Sequence, residues 1–146
     1  MLWTVRHLWP SGARFTFNCY RYWALLVFRS ADGTPTFLHS MEGVTQGDPL
    51  AMVVYGLGVL PLIRRLKELH PGAAQPWYAD DAGVGGNFDA IEAQFRSLQE
   101  LGPGLGYFPE PAKSILVVSS RNRQRAEERF RDTLKFTVVE GHRYLG

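Results

Sequence analysis

Two adjacent aspartates, Asp80 and Asp81, are the residues whose types and spacing point most directly to chemistry. They lie between a short apolar run that ends at Tyr78 and a run of small residues, 82–86. This pattern predicts two short strands joined by a tight turn that carries both acids. Neighbouring carboxylates repel each other unless a cation neutralises them, and Mg²⁺ prefers carboxylate and phosphate oxygens as ligands. The pair therefore predicts a magnesium site that can face a phosphate, which is half of a nucleotidyl-transfer site.

Two other segments carry residue types that suit a nucleotide. Gln46 and Gly47 stand directly before Asp48; a glycine lets a ligand approach the backbone closely, and a glutamine offers both a donor and an acceptor. Asp48 predicts the N-cap of a helix whose amino end would favour a nearby phosphate. Further on, a loop rich in glycine and proline delivers Lys113 to the start of a strand, where it could reach a triphosphate. Taken alone, a capped helix and a solvated lysine are the simpler interpretations.

The elements that must position these residues follow from hydrophobic periodicity and turn signals. Helices are predicted over residues 1–8, 49–69, 88–101 and 121–134, with Pro61 kinking or splitting the second. Strands are predicted over 13–20, 24–29, 36–41, 114–118 and 136–139, in addition to the Tyr78–Asp81 hairpin. The order predicts an α+β fold in which helices pack on one face of a mainly antiparallel sheet, as a single domain over residues 1–146.

Composition bounds the class of protein without deciding its function. The chain is 45% hydrophobic and 21% charged, as expected of a folded domain, and its net charge of +2 favours no partner. Cys19 is the only cysteine, which excludes an internal disulfide and predicts an intracellular location, cytoplasmic or nuclear. No apolar stretch is long enough to span a membrane, and no zinc-ligand spacing is present.

Local charge and aromatic residues have ordinary interpretations. Residues 1–31 carry four arginines and no acid, and residues 121–131 carry five arginines against two glutamates. Such patches suit a polyanion, but a solvated helix face is the favoured interpretation of the second. The four tryptophans and Cys19 are expected in the core rather than at a binding surface.

The ordered set of motifs resembles the palm of a reverse transcriptase from a non-LTR-type retrotransposon. Residues 46–50 resemble the family's Q-G-x-P-L segment, and Tyr78–Asp81 resembles its Y-x-D-D signature. Residues 106–114 resemble its glycine-to-lysine segment, and residues 144–146 resemble its Y-L-G turn. The resemblance covers essentially the whole chain and implies a partial polymerase palm with RNA-directed DNA polymerase activity in the complete enzyme.

The sequence also departs from the family pattern. The family has a third aspartate on an earlier strand, in a segment of the type D-x-x-x-A-F, and this sequence has no such segment. The fingers and thumb are not recognisable either. We therefore expect the chain to be a fragment with an incomplete set of carboxylates that polymerises nothing by itself.

The resemblance implies a role for each matching residue. Asp80 and Asp81 would bind Mg²⁺, or Mn²⁺ in its place, and act as the catalytic carboxylates. Tyr78 and Ala79 would lie near the primer end, while Gln46 and Gly47 would contact the template and the nascent base pair. Lys113 would approach the triphosphate. The implied partners of the complete enzyme are an RNA template, a DNA primer and deoxynucleoside triphosphates, with no membrane and no disulfide partner.

Two alternatives remain open at this stage. The chain could be a non-catalytic nucleic-acid-binding or scaffolding remnant that keeps the palm shape. It could also be the palm of an RNA-dependent RNA polymerase, which uses paired aspartates as well, although the Q-G-x-P-L segment argues against this.

Overall fold

The computed structural model describes residues 1–41, 43–45 and 47–143, and it has an α+β fold. The first compact unit spans Met1–Gly85 and the second Gly86–Gly146. The elements of the first unit are α1 Leu2–Leu8, α2 Pro10–Tyr20, β1 Ala24–Arg29, β2 Pro35–Ser40, α3 Ala51–Leu69, β3 Trp77–Tyr78 and β4 Asp81–Ala82. Those of the second are α4 Phe88–Leu101, β5 Ile115–Val117, α5 Arg123–Ala126, a π-helical turn Glu127–Arg131, α6 Asp132–Leu134 and β6 Thr137–Val139.

Helix α3 is the longest element of the first unit, and α1 packs against both α2 and α3. Val59, Leu62 and Leu66 are buried at helical spacing along α3 and form one apolar stripe. The helix ends at Leu69 as predicted, but the expected split at Pro61 is wrong because the helix continues through it. Burial of the stripe on both sides of Pro61 offsets the backbone hydrogen bond that a proline cannot donate.

Residues 10–20 form a helix, so the predicted strand over 13–20 is wrong. Pro10 occupies the first helical turn, where its missing N–H costs nothing, and Gly12 and Thr16 are buried one turn apart. The Thr16 hydroxyl donates to the Gly12 carbonyl at 2.9 Å. The alternating residues Phe15 and Phe17, which suggested a strand, are instead both exposed.

Strands β1 and β2 form the predicted hairpin, with Leu26 opposite Leu38 and a turn at Asp32-Gly33. Gly33 has a φ of +83°, and the Asp32 carboxylate accepts a hydrogen bond from the Thr34 amide at 2.9 Å. Apolar side chains on both faces of the hairpin are exposed: Leu25, Val27, Phe28, Phe37 and Leu38. The expected burial of four tryptophans is also wrong for Trp3 and Trp23, which are exposed, and Cys19 is exposed as well.

The second unit is built around a cluster of phenylalanines. The ring centroids of Phe95 and Phe136 are 4.6 Å apart, and those of Phe130 and Phe136 are 5.7 Å apart. Helix α4 has the predicted bounds. Strands β5 and β6 pair in parallel, with Leu116 opposite Val138. The described strands form three separate two-stranded sheets rather than one, and two of the three are antiparallel, as the prediction of mainly antiparallel pairing requires.

The arginines of residues 121–131 are largely paired with acids in the same unit. Arg129 donates to both Glu92 and Asp89 at 2.6 Å, which ties the π-helical turn Glu127–Arg131 to α4. Arg123 and Arg131 both pair with Glu127. These ion pairs agree with the interpretation of this segment as a solvated structural face, since paired guanidinium groups are already neutralised.

Candidate metal-binding hairpin

The two aspartates lie at the tip of a tight antiparallel hairpin. Tyr78 stands opposite Asp81 and Trp77 opposite Ala82, so only Ala79 and Asp80 form the turn. The predicted strand–turn–strand is therefore confirmed, with Asp80 in the turn and Asp81 at the start of the returning strand.

Pairing continues in the same register well below the tip. The amide of Gly83 donates to the Pro76 carbonyl at 2.8 Å, and Ala74 and Gly85 exchange two backbone hydrogen bonds of 2.8 Å. The hairpin thus runs from Ala74 to Gly85, which gives the two-residue tip a rigid base.

The sequence folds locally in this way because small residues stand where space is short. A β-carbon at Gly83 would lie 2.8 Å from Pro76 Cγ and 3.1 Å from the Pro76 carbonyl oxygen, closer than side chains normally approach. At the tip, Ala79 has a φ of +52°, a left-handed conformation that is unfavourable for a residue with a β-carbon. Backbone strain of this kind is found disproportionately at functional sites.

Both aspartates are exposed at the tip. Tyr55, on the second turn of α3, has its pKa raised by burial and, to a smaller extent, by the negative charge of Asp80. Within the described residues no basic side chain pairs with Asp81. The tip therefore presents negative charge to solvent beside a partly buried phenol.

These donors fit part of a magnesium site. Mg²⁺ in proteins is commonly held by one or two carboxylates together with water and substrate phosphates, and two exposed neighbouring carboxylates meet that description. In the part of the chain with described coordinates, no three acidic, histidine or cysteine side chains converge on one point. Asp80 and Asp81 could therefore hold a metal ion only with help from phosphate or solvent oxygens.

The segment before α3 forms a turn rather than the first turn of the helix. The predicted cap at Asp48 is displaced, because α3 begins at Ala51 and Leu50 is its cap residue. The Asp48 carboxylate accepts a hydrogen bond from the Leu50 amide at 2.8 Å and a second from the Tyr20 hydroxyl. Both bonds hold the pKa of Asp48 below its usual value, with that from Tyr20 the larger cause.

Gly47 is suited to close approach by a ligand. Its φ of +88° requires a residue without a β-carbon, and no atom lies within 4 Å of the place where that carbon would stand. Gly47 is exposed beside the turn that Asp48 and Tyr20 hold in place.

The remaining predicted site residues are not part of this hairpin. Lys113 is exposed in a 3₁₀ turn, Pro111–Lys113, immediately before β5 in the second unit. Gln46 and the Y-L-G segment at 144–146 lie outside the described residues. The structure thus brings together Tyr78, Ala79, Asp80 and Asp81 in one hairpin.

Sequence reasoning did not identify Tyr55 or Tyr20 as neighbours of the candidate site. Tyr55 lies seven residues after Asp48, about two helical turns on, so a continuous helix could have placed it on the same side as the turn. The predicted strand over residues 13–20 gives no reason to expect Tyr20 close to Asp48.

Comparisons with known proteins leave the family unassigned. No protein-family model matches the chain, and no curated protein or solved structure matches it significantly. None of the helices among the described residues is long and apolar enough to cross a membrane.

Proposed function

We propose that this chain is a palm segment of an RNA-directed DNA polymerase, in which Asp80 and Asp81 hold magnesium against nucleotide phosphates. The observation that carries the proposal is the two-residue hairpin at Tyr78–Asp81, which has a strained alanine and two exposed carboxylates at its tip. The order of the four motifs along the chain supports the same assignment.

Each residue of the proposed site would have a separate role, which follows from its position. Asp80 and Asp81 would bind the metal, which when bound supplies neutralisation of phosphate charge and activation of the primer hydroxyl. Tyr78, exposed on the strand before the turn, would contact the primer end. Gly47 would let the template strand approach the backbone.

Selective broadening by Mn²⁺ in nuclear magnetic resonance spectra tests the metal site. Because the paramagnetic ion broadens nearby nuclei, we expect the amides of residues 78–82 to lose intensity first as Mn²⁺ is added. The double variant Asp80→Asn, Asp81→Asn should abolish this preference. Asp32→Asn is the matched control, since Asp32 is also exposed in a hairpin turn but has no neighbouring acid. Broadening that spreads equally over all exposed acids would overturn the proposal.

A primer-extension assay tests the activity. With an RNA template, a DNA primer, deoxynucleoside triphosphates and Mg²⁺, we expect no product from this chain alone, because the sequence lacks the segment that carries the third carboxylate of the family pattern. Labelled product that disappears in Asp80→Asn would contradict that expectation. Binding of an RNA–DNA hybrid that is indifferent both to Asp80→Asn and to Mg²⁺, together with no metal site, would favour the non-catalytic remnant instead.

A further inference from the structure

An open groove lies between helices α1 and α3. Its volume is about 410 Å³, within the range of pockets that hold small molecules. Its walls come from both helices of the first unit and include Trp3, His7, Pro61, Arg64, Arg65 and Glu68. We refer to it as the α1–α3 groove.

An exposed aromatic side chain forms part of one wall of the groove. Trp3 is 71% exposed, the highest value among the tryptophans, although tryptophan is usually largely buried. The centroids of the Trp3 and His7 rings are 4.0 Å apart with an interplanar angle of 32°, and His7 Nδ1 lies 2.8 Å from the Trp3 carbonyl oxygen. These contacts hold the indole in place, so a flat ligand that stacks on it loses little side-chain entropy in doing so.

The other wall supplies a positive charge that no acid neutralises. Arg65 pairs with Glu68 at 3.3 Å, but among the described residues Arg64 has no carboxylate partner. A guanidinium group binds phosphate oxygens through two parallel hydrogen bonds, which a lone exposed arginine is free to make. Glu68 also lines the groove, but its charge is paired with that of Arg65. The groove therefore combines a stacking surface with one unpaired anion-binding group.

The groove is separate from the aspartate hairpin. Arg64 lies nine residues after Tyr55 on α3, which corresponds to about 14 Å along the helix and about half a turn around it. Since Tyr55 marks the side of α3 near Asp80, a ligand in the groove contacts the opposite side of the helix.

We propose that the α1–α3 groove binds one nucleotide unit of a single-stranded nucleic acid, with the base stacked on Trp3 and a phosphate on Arg64. Stacking on an exposed side chain requires an unpaired base, so single strands are favoured over duplexes. The site does not depend on metal ions or on the polymerase assignment. A free nucleotide also carries a base and a phosphate, and the experiment distinguishes it from a single-stranded nucleic acid.

The test is a fluorescence-anisotropy titration of the intact chain with a labelled single-stranded oligothymidylate of about 10 nucleotides. Trp3→Leu should weaken binding about tenfold, because base stacking on an aromatic residue contributes that order of affinity. Arg64→Gln should weaken binding and also reduce the slope of log K against log salt by about 0.7, the value for one phosphate contact on a single strand.

Two matched variants distinguish binding in the groove from nonspecific binding elsewhere on the chain. Trp23→Leu removes another exposed tryptophan that does not line the groove, and Arg6→Gln removes an exposed arginine of α1 that does not line it. Both should bind as the unchanged chain does. All four positions are exposed or outside the core, and circular dichroism checks that each variant keeps its helices.

The outcomes are distinct. Equal losses in Trp3→Leu and Trp23→Leu, or an unchanged salt slope in Arg64→Gln, would overturn the proposal, as would binding to a duplex as tight as to the single strand. If thymidine monophosphate competes at concentrations near the dissociation constant of the oligonucleotide, the ligand is a free nucleotide, and the proposed single-strand site is contradicted. The titration is run without Mg²⁺, which the hairpin assignment requires and the groove does not, so failure here is separable from failure of the hairpin assignment.

Discussion

Replacing Gly83 with alanine should open the hairpin that carries Asp80 and Asp81, whereas the same replacement at Gly85 should not. Both glycines lie on the returning side of the hairpin, and the amide of each donates a backbone hydrogen bond of 2.8 Å. Neither glycine has a positive φ, so an alanine is compatible with both backbone conformations. The two variants differ only in the space available to the added methyl group.

The expected magnitudes follow from that space. At position 83 the new carbon would lie 2.8 Å from Pro76 Cγ and 3.1 Å from the Pro76 carbonyl oxygen, and neither a proline ring nor a backbone oxygen moves easily. Overpacking of this kind lowers the free energy of unfolding by about 1–3 kcal/mol. Replacing glycine also reduces the conformational entropy of the unfolded chain, which raises the free energy of unfolding by about 0.4–1 kcal/mol. The net loss is about 1–2 kcal/mol. At position 85 the nearest atom, Ala74 Cβ, is 3.5 Å away, so only the gain of about 0.4–1 kcal/mol remains.

Hydrogen exchange at the Ala74 amide measures this difference locally. That amide donates to the carbonyl of residue 85, near the base of the hairpin, so its exchange reports on hairpin opening. A loss of 1–2 kcal/mol should accelerate its exchange about 5- to 30-fold in Gly83→Ala, whereas Gly85→Ala should slow it about 2- to 5-fold. Equal rates in the two variants, or an unchanged rate in Gly83→Ala, would refute the steric reasoning.

Three further predictions test other parts of the structure. Burial and a hydrogen bond to Asp48 raise the pKa of Tyr20 to about 12. The neutral phenol therefore contributes its full stabilisation below the ordinary tyrosine pKa of about 10, and this contribution is lost as the pH rises through about 12. Tyr20→Phe should remove that alkaline step from a curve of stability against pH. Asp80→Asn should lower the pKa of Tyr55, measured by carbon resonance titration of its ring, because the charge of Asp80 helps to raise it. Phe130→Ala should destabilise the second unit by about 3–5 kcal/mol in urea unfolding monitored at that unit's amides, because its fully buried ring packs against two other phenylalanines.

Elements whose local signals agree with each other were predictable from sequence. Helix α4 has an asparagine cap, Asn87, whose side chain accepts from the Ala90 amide at 2.9 Å, and its apolar residues recur at helical spacing. The aspartate hairpin was equally clear, since small residues flank a two-residue turn. In both cases the local sequence signals favour one structure: capping and periodicity for α4, and turn residues for the hairpin.

Helix α2 shows why the rest was not predictable. Its alternating aromatic residues match a strand, and the stronger signal, Pro10 at the first helical turn with Gly12 and Thr16 one turn apart, is visible only if the strand pattern is set aside. The short parallel pair β5–β6 depends on contacts between residues about twenty apart in sequence, such as Leu116 and Val138. Local periodicity carries no information about such pairing.

Helix α3 links the candidate site to the proposed groove, because it contributes to both from different sides. Tyr55 near its amino end senses the charge of Asp80, while Arg64, farther along and about half a turn around, lines the groove beside Trp3. Leu62 and Leu66 lie along the same helix and are fully buried, so the backbone that positions both polar side chains is anchored by the core of the first unit. A helix broken at Pro61 would have separated these two surfaces into independent pieces. Because α3 is continuous, the spacing between the hairpin side and the groove side is set by helix geometry rather than by a loop.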